Sequence, residues 1–199
     1  MAVRTIRSIA AFDLGNRNIS GGDRPERVFT ALALTDLFGP FGLPAALGRG
    51  FTADELAPRG PAVAIVSHRL WQGRFGGDRS IVGRSVRVNG VSTTVVGVMP
   101  PELLIIGADL WVPWGGETGA MPRNARPFTV IGRLAPGATL DQANAELAAI
   151  AGQTTAGHAA QFPEYVDWRL SATPWAVALT RDIRPGAWLL LGAVGQHRE

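Results

Sequence analysis

In Ala62-Val63-Ala64-Ile65-Val66-Ser67-His68-Arg69-Leu70-Trp71-Gln72-Gly73-Arg74-Phe75-Gly76-Gly77 three local instructions follow one another. The uninterrupted apolar run Ala62 to Val66 suits a buried strand. Ser67 then offers a side-chain oxygen to the free amides that open a helix. That helix is predicted over His68 to Phe75, with Leu70 beside Arg74 and Trp71 beside Phe75 one turn on. Gly76-Gly77 ends it, because glycine takes positive φ at no steric cost. A strand that feeds a capped helix points to a chain of mixed α and β structure.

Downstream, Ser85 to Asn89 alternates polar residues with Val86 and Val88, and Asn89-Gly90 has the preference of a two-residue hairpin turn. Val91 to Met99 is expected to return antiparallel, and Pro100-Pro101 stops the ladder for want of amide hydrogens. The sequence Asp109-Leu110-Trp111-Val112-Pro113-Trp114 reads as a loop, and Gly115 to Asn124 as a linker. Phe128 to Leu134 is predicted as a strand with Phe128, Val130 and Leu134 on one face. Thr139 and Gln142 then make a capping pair for a helix whose apolar face is Leu140, Ala143, Leu147 and Ile150, with Asp141, Gln142 and Asn144 left in water. Trp168 to Leu179 reads as a strand interrupted at Pro174. Upstream, Val3 to Leu14 is expected to form a strand, Gly15 to Arg24 a flexible polar segment, and Arg27 to Leu37 a strand that passes into a short helix or turn.

Composition narrows the functional classes. With 46% apolar and 18% charged residues in 199, the chain can bury a real core and is far from the signature of disorder. All 19 basic residues are arginine, yet the formal charge is only +3, and the arginines are interleaved with acids, as in Arg24-Pro25-Glu26-Arg27. A nucleic-acid binder concentrates its positive charge instead. The absence of cysteine excludes disulfides, thiolate metal sites and cysteine nucleophiles. Without lysine there is no Walker motif. Met1 to Ala11 carries Arg4 and Arg7 and then only a brief apolar patch, short of the run an export signal needs.

Candidate chemistry is thin. Ser67-His68, with Asp78 or Asp109 to orient the imidazole, has the residue types of a nucleophile and its base. The same serine sits where a helix cap belongs, and no G-x-S-x-G elbow surrounds it. His68, His158 and His197 lack the short spacing of a metal site and read as surface histidines. Asp54-Glu55 and Glu102 read as solvated loop acids, and Gly48, Gly50, Gly76, Gly77, Gly83, Gly90 and Gly97 as residues of turns, strand ends and close backbone approaches. Trp71 is expected in the core, whereas Trp111 and Trp114 are candidates for an exposed partner contact.

One set of pieces occurs in a fixed order: Gly48-Arg49-Gly50-Phe51-Thr52, Val63 to Ser67, Leu70-Trp71, Arg74-Phe75-Gly76-Gly77, Val82-Gly83-Arg84, Val88-Asn89-Gly90 and Val95-Val96-Gly97-Val98-Met99-Pro100. That order resembles the MacB-like periplasmic core domain. Asp109 to Pro113 and Arg133 to Leu140, followed by Gln142-Ala143 and Glu146-Leu147, extend the likeness in the manner of MacB/FtsX-type ABC transporter permeases. It runs from about Val28 to Ile150. The resemblance implies an α+β fold of strands and hairpins with a few packed helices, in two lobes with one inserted into the other. On this reading 1–185 is the core domain, the inserted lobe is about 50–115, and 186–199 is the truncated start of a transmembrane helix. The apolar part of that tail, Ala187 to Val194, is shorter than the roughly twenty residues that span a bilayer.

The implied role is that of a non-catalytic extracytoplasmic domain, without cofactors or metal, that couples ATP-driven motion of a partner ATPase across the membrane. Its partners in the family are a cytoplasmic ABC ATPase and the membrane helices of the permease, with a periplasmic adaptor as a further candidate. The competing readings are a freestanding binding module that takes an adaptor or peptide through Trp111 and Trp114, a non-functional permease fragment, and a hydrolase built on Ser67 and His68.

Overall fold

The structure is a computed structural model and describes residues 3–21, 24–103, 107–115 and 128–180. The strands are β1 (Ile6–Ser20), β2 (Glu26–Ala33), β3 (Leu47–Gly48), β4 (Val63–Val66), β5 (Ser85–Val88), β6 (Val91–Val98), β7 (Leu110–Pro113) and β8 (Thr129–Leu134). The helices are α1 (Ala53–Leu56), α2 (His68–Phe75), α3 (Leu140–His158) and α4 (Trp175–Thr180). The fold is α+β. The chain divides into two compact units, one of residues 7–133 and one of residues 1–6 with 134–199.

In the 7–133 unit the strand pairings return to where they start. β1 pairs antiparallel with β2, β2 runs parallel to β7, β7 antiparallel to β4, β4 parallel to β6, β6 antiparallel to β5, and β5 antiparallel to β1. β8 is added beside β1, and β3 beside β6. Ring closure matters because an open edge presents unpaired amides and carbonyls, and a ring leaves few of them.

β4 shows why its sequence is apolar at every position. Val63 and Ile65 enter one core cluster with Phe12, Phe38, Met99 and Trp111, while Ala64 and Val66 enter another with Ile19, Leu70, Ile81 and Leu110. A strand dry on both faces has no place for polar alternation. The junction that follows forms as its residues dictate: the Ser67 hydroxyl accepts the Leu70 amide at 3.0 Å, and Gly76 ends α2 at φ 62°. The β5–β6 hairpin turns on Asn89 and Gly90, both at positive φ.

Several expectations are corrected. Gly15 to Ser20 is not a flexible segment but the second half of β1, where Gly15 lies opposite Thr30, Arg17 opposite Val28 and Ile19 opposite Glu26. Cross-strand partners and the full burial of Ile19 outweigh a polar composition with little strand propensity. Leu110–Pro113 is likewise not loop but β7, inserted between β2 and β4, with Leu110 and Trp111 buried. Pro113 has no amide hydrogen to give, and the Ala33 carbonyl opposite it is met by the Trp114 amide instead. In β8 the buried residue is Ile131, whereas on the other face Val130 is 62% exposed and Phe128 and Leu134 are half-buried. The linker expected over 115–124 lies, beyond Gly115, outside the described residues, as does the tail 186–199.

The other unit is built on α3. Its predicted capping box is present: the Thr139 hydroxyl accepts the Gln142 amide, and the Gln142 side chain accepts the Thr139 amide. Ala143 is buried and Leu140, Leu147 and Ile150 half-buried, as the apolar spacing predicts. Asn144, expected in water, is instead half-buried, accepting the Ala172 amide and donating to the Ala172 carbonyl. The strand expected over Trp168 to Leu179 is replaced by irregular chain and then α4, in which the Val177 and Ala178 amides donate to the Pro174 carbonyl. Proline suits a helix start as well as it breaks a strand, and only the start is realised here.

The tightest passage in the 7–133 unit is where β3 crosses β6. A methyl group on Gly97 would lie 2.3 Å from the Arg49 carbonyl oxygen, and one on Gly48, itself at φ +69°, would lie 2.2 Å from the Val96 carbonyl oxygen. Both obstacles are backbone. Gly97→Ala is therefore expected to lower unfolding stability by about 1–3 kcal/mol, as overpacking does. A denaturant melt with an unchanged midpoint would show that the crossing can open.

Candidate functional site

The residues that suggested chemistry meet where β4 ends, α2 begins and β7 starts. The Ser67 amide donates to the Asp109 carbonyl at 2.8 Å, and the Ser67 hydroxyl lies 3.1 Å from Asp109 Oδ1 while accepting the Leu70 amide. Arg69 closes on the same carboxylate with Nε at 3.0 Å from Oδ1 and Nη2 at 2.6 Å from Oδ2. The Asp109 amide reaches the Phe29 carbonyl, so this one residue fastens β2, β4 and α2 to β7.

Neither orienting acid meets the imidazole. The His68 ring lies edge-on to Trp71 with centroids 5.4 Å apart, and the Asp78 carboxylate is spent on the Ser80 amide and hydroxyl. Ser67 thus acts as a cap whose hydroxyl also donates to Asp109, and the geometry needed to move its proton to an imidazole is missing. A shallow cavity of about 500 Å³ opens beside these residues, against Pro100, Pro101 and Leu103.

The acids of the α1 region are arranged differently from the expected solvated loop. Asp54 is exposed, but Glu55 is 5% exposed and accepts Arg49 Nη1 at 2.8 Å, Arg49 Nη2 at 2.7 Å and the Thr52 amide at 2.8 Å. The guanidinium hydrogen bonds, against the opposing effect of burial, hold the Glu55 carboxyl below its ordinary range. Bidentate pairing of arginine with a carboxylate is the strong form of this contact. It fastens the chain after β3 to α1 and belongs to structure.

His158, expected at the surface, is half-buried, with its ring stacked on Phe162 and near Tyr165. His197 lies outside the described residues. Among the described residues no group of three or more histidines and acids is placed to hold a metal ion.

The two tryptophans separate. Trp111 is 2% exposed and packs edge-on against Phe38 at 5.7 Å, inside the core. Trp114, half-buried, donates its amide to the Ala33 carbonyl at 2.7 Å and meets Phe128 edge-on at 5.7 Å. It lines an open cavity of about 390 Å³ with Arg17, Leu32, Val88 and Val91, of which Val91 is 55% exposed. The cavity wall thus mixes apolar side chains with one arginine.

The family model described as "MacB-like periplasmic core domain" matches residues 1–150. The chain belongs to that family. This MacB-like core domain shares its fold with the extracellular domain of the noncanonic ABC-type transporter YknZ from Gram-positive bacteria, at 18% identity and a TM-score of 0.58, covering 79% of either chain. It is also similar to the periplasmic region of MacB from Actinobacillus actinomycetemcomitans, at 16% identity and a TM-score of 0.60, over 76% of this chain and 69% of that one. No curated protein sequence matches it. Among the described residues no helix is long and apolar enough to cross a membrane.

Sequence reasoning singled out Glu146 only as part of a family motif. In the structure its carboxylate accepts the amides of Arg4 and Thr5 and the Thr5 hydroxyl. Nothing in the local pattern announces a partner so distant along the chain.

Because the folded-state pKa of Glu55 is depressed, its contribution to stability is full above its ordinary value of 4.5 and is lost as the pH falls through the lower folded value. Glu55→Gln is expected to cost about 1–2 kcal/mol, the lower part of the range for charged hydrogen bonds because Arg49 is half in water. It should also flatten the acid limb of the pH–stability curve. An acid limb identical to that of the wild type would mean that other carboxylates set it.

Proposed function

We propose that this chain works as a non-catalytic extracytoplasmic module of an ABC transporter permease, carrying motion driven by ATP hydrolysis in a partner ATPase across the membrane. The family match over residues 1–150 carries the reading. The use of Ser67 as a helix cap, with His68 turned to Trp71, supports it by removing the strongest hint of chemistry. The partners would be a cytoplasmic ABC ATPase, the membrane helices of the permease and a periplasmic adaptor.

Expressed from its own locus together with the neighbouring reading frames, the protein is expected to copurify in detergent with an ATPase that carries a Walker motif. A locus with neither apolar spans nor such an ATPase would overturn the transport reading and leave a freestanding binding module.

For the adaptor we place the contact on the Trp114 wall. Trp114→Ala is expected to weaken adaptor capture at least about tenfold with little change in melting, as loss of an aromatic anchor does. Trp111→Ala should instead destabilise the fold by about 3–5 kcal/mol, the usual result of removing a buried tryptophan. Capture unaltered by Trp114→Ala, in a protein that still melts normally, would remove that wall from the interface.

A further inference from the structure

The contact made by Glu146 has no part in the core and none in any reactive geometry. Its Oε1 accepts the Arg4 amide at 2.8 Å, and its Oε2 accepts both the Thr5 amide at 2.9 Å and the Thr5 hydroxyl. These residues are 141 and 142 positions apart in the chain. One turn beyond the capping box of α3, a single carboxylate therefore holds the backbone just before β1. The Ala135 amide bonds the Thr5 carbonyl at 2.9 Å, so the same two residues are also held from the segment that leads into α3. The Thr5 hydroxyl first, and then the two amides, keep the Glu146 carboxyl below its ordinary range.

Geometry decides what such a contact can do. Two successive amides and a hydroxyl on one carboxylate resist sliding and rotation of the strand together, whereas a single hydrogen bond acts as a pivot. Charge-assisted hydrogen bonds are also roughly twice as strong as neutral ones. Side-chain and backbone contacts from residues 135–146 thus leave the chain little freedom at Arg4 and Thr5 before it enters β1.

We propose that Glu146 is the grip that fastens Arg4 and Thr5 to α3, so that a displacement of these two residues is delivered to α3. The inference rests on the coupling role proposed above and names the element that receives the motion. It assigns to Glu146-Leu147, the last piece of the family likeness, a function other than packing.

The test is backbone hydrogen exchange on the 199-residue chain, comparing Glu146→Gln and Thr5→Val with the wild type. In Glu146→Gln the neutral side chain accepts at one atom only, and the Arg4 and Thr5 amides are expected to exchange at least about tenfold faster, with protection along α3 kept. Thr5→Val leaves both amide bonds in place and is expected to give a smaller increase, which keeps the test alive should the first variant fold poorly. Unchanged exchange at Arg4 and Thr5 in both variants would overturn the grip. So would loss of protection along the whole of α3, which would make Glu146 a helix stabiliser.

The coupling part is read separately, in the assembled permease. There Glu146→Gln is expected to leave ATP hydrolysis running while transport falls. Normal transport alongside raised exchange would leave the contact as anchorage only and overturn its transmitting role. Failure to find any permease or ATPase partner would instead count against the function proposed above and would not touch the exchange result.

Discussion

The ring of the 7–133 unit rests on one constraint: β4 is buried on both faces and must be flanked on both edges. Its side chains alternate between two core clusters, and its backbone is shared between β6 and β7. Those partners in turn take β5 and β2, and β1 joins the two ends. The Asp109 cluster sits where this arrangement is most exposed to error, at the point where β4 ends and β7 begins. A carboxylate held by Ser67 and Arg69 there ties the start of β7 to the end of β4, adding to the register that the two-faced burial of β4 imposes.

The parts that could be read from the sequence are those whose cause is local. Ser67, Gly76, Asn89-Gly90 and the Thr139–Gln142 box each specify backbone geometry within a few residues, and each is realised. The parts misread depend on distant partners. Gly15 to Ser20 looks like a polar loop until β2 is laid beside it, and Leu110–Pro113 looks like a turn-rich loop until it is seen between two strands. Their own residues express no more than weak preferences, and sheet pairing decides the outcome. In β8 the strand is recognisable from its composition, but both alternating faces contain apolar residues, so burial of Ile131 over Val130 is settled by the core it meets.

The site follows the same division. Ser67 as a cap is local and legible, whereas the convergence of Arg69 and Ser67 on Asp109, the burial of Glu55 under Arg49, and the hold of Glu146 on Arg4 and Thr5 are tertiary. Trp111 and Trp114 illustrate the limit of residue type as evidence: three positions apart in one strand and its exit, one is core and the other lines a cavity. Their fates diverge because β7 buries Trp111 against Phe38, while the chain has left the strand by Trp114.

The parallel pairing of β2 with β7 has a consequence for how the protein is made. Thr30 to Ala33 must wait for Leu110 to Pro113, and β4 cannot fill its second edge until the same residues arrive. Contacts this distant in sequence carry a large loop-closure entropy and slow the folding rate. A chain that emerges in N-to-C order therefore has β4, apolar at every position, open along one edge until residue 113 has appeared. Closure of the ring ends the interval in which the partly folded chain shows apolar surface and an unpaired strand edge.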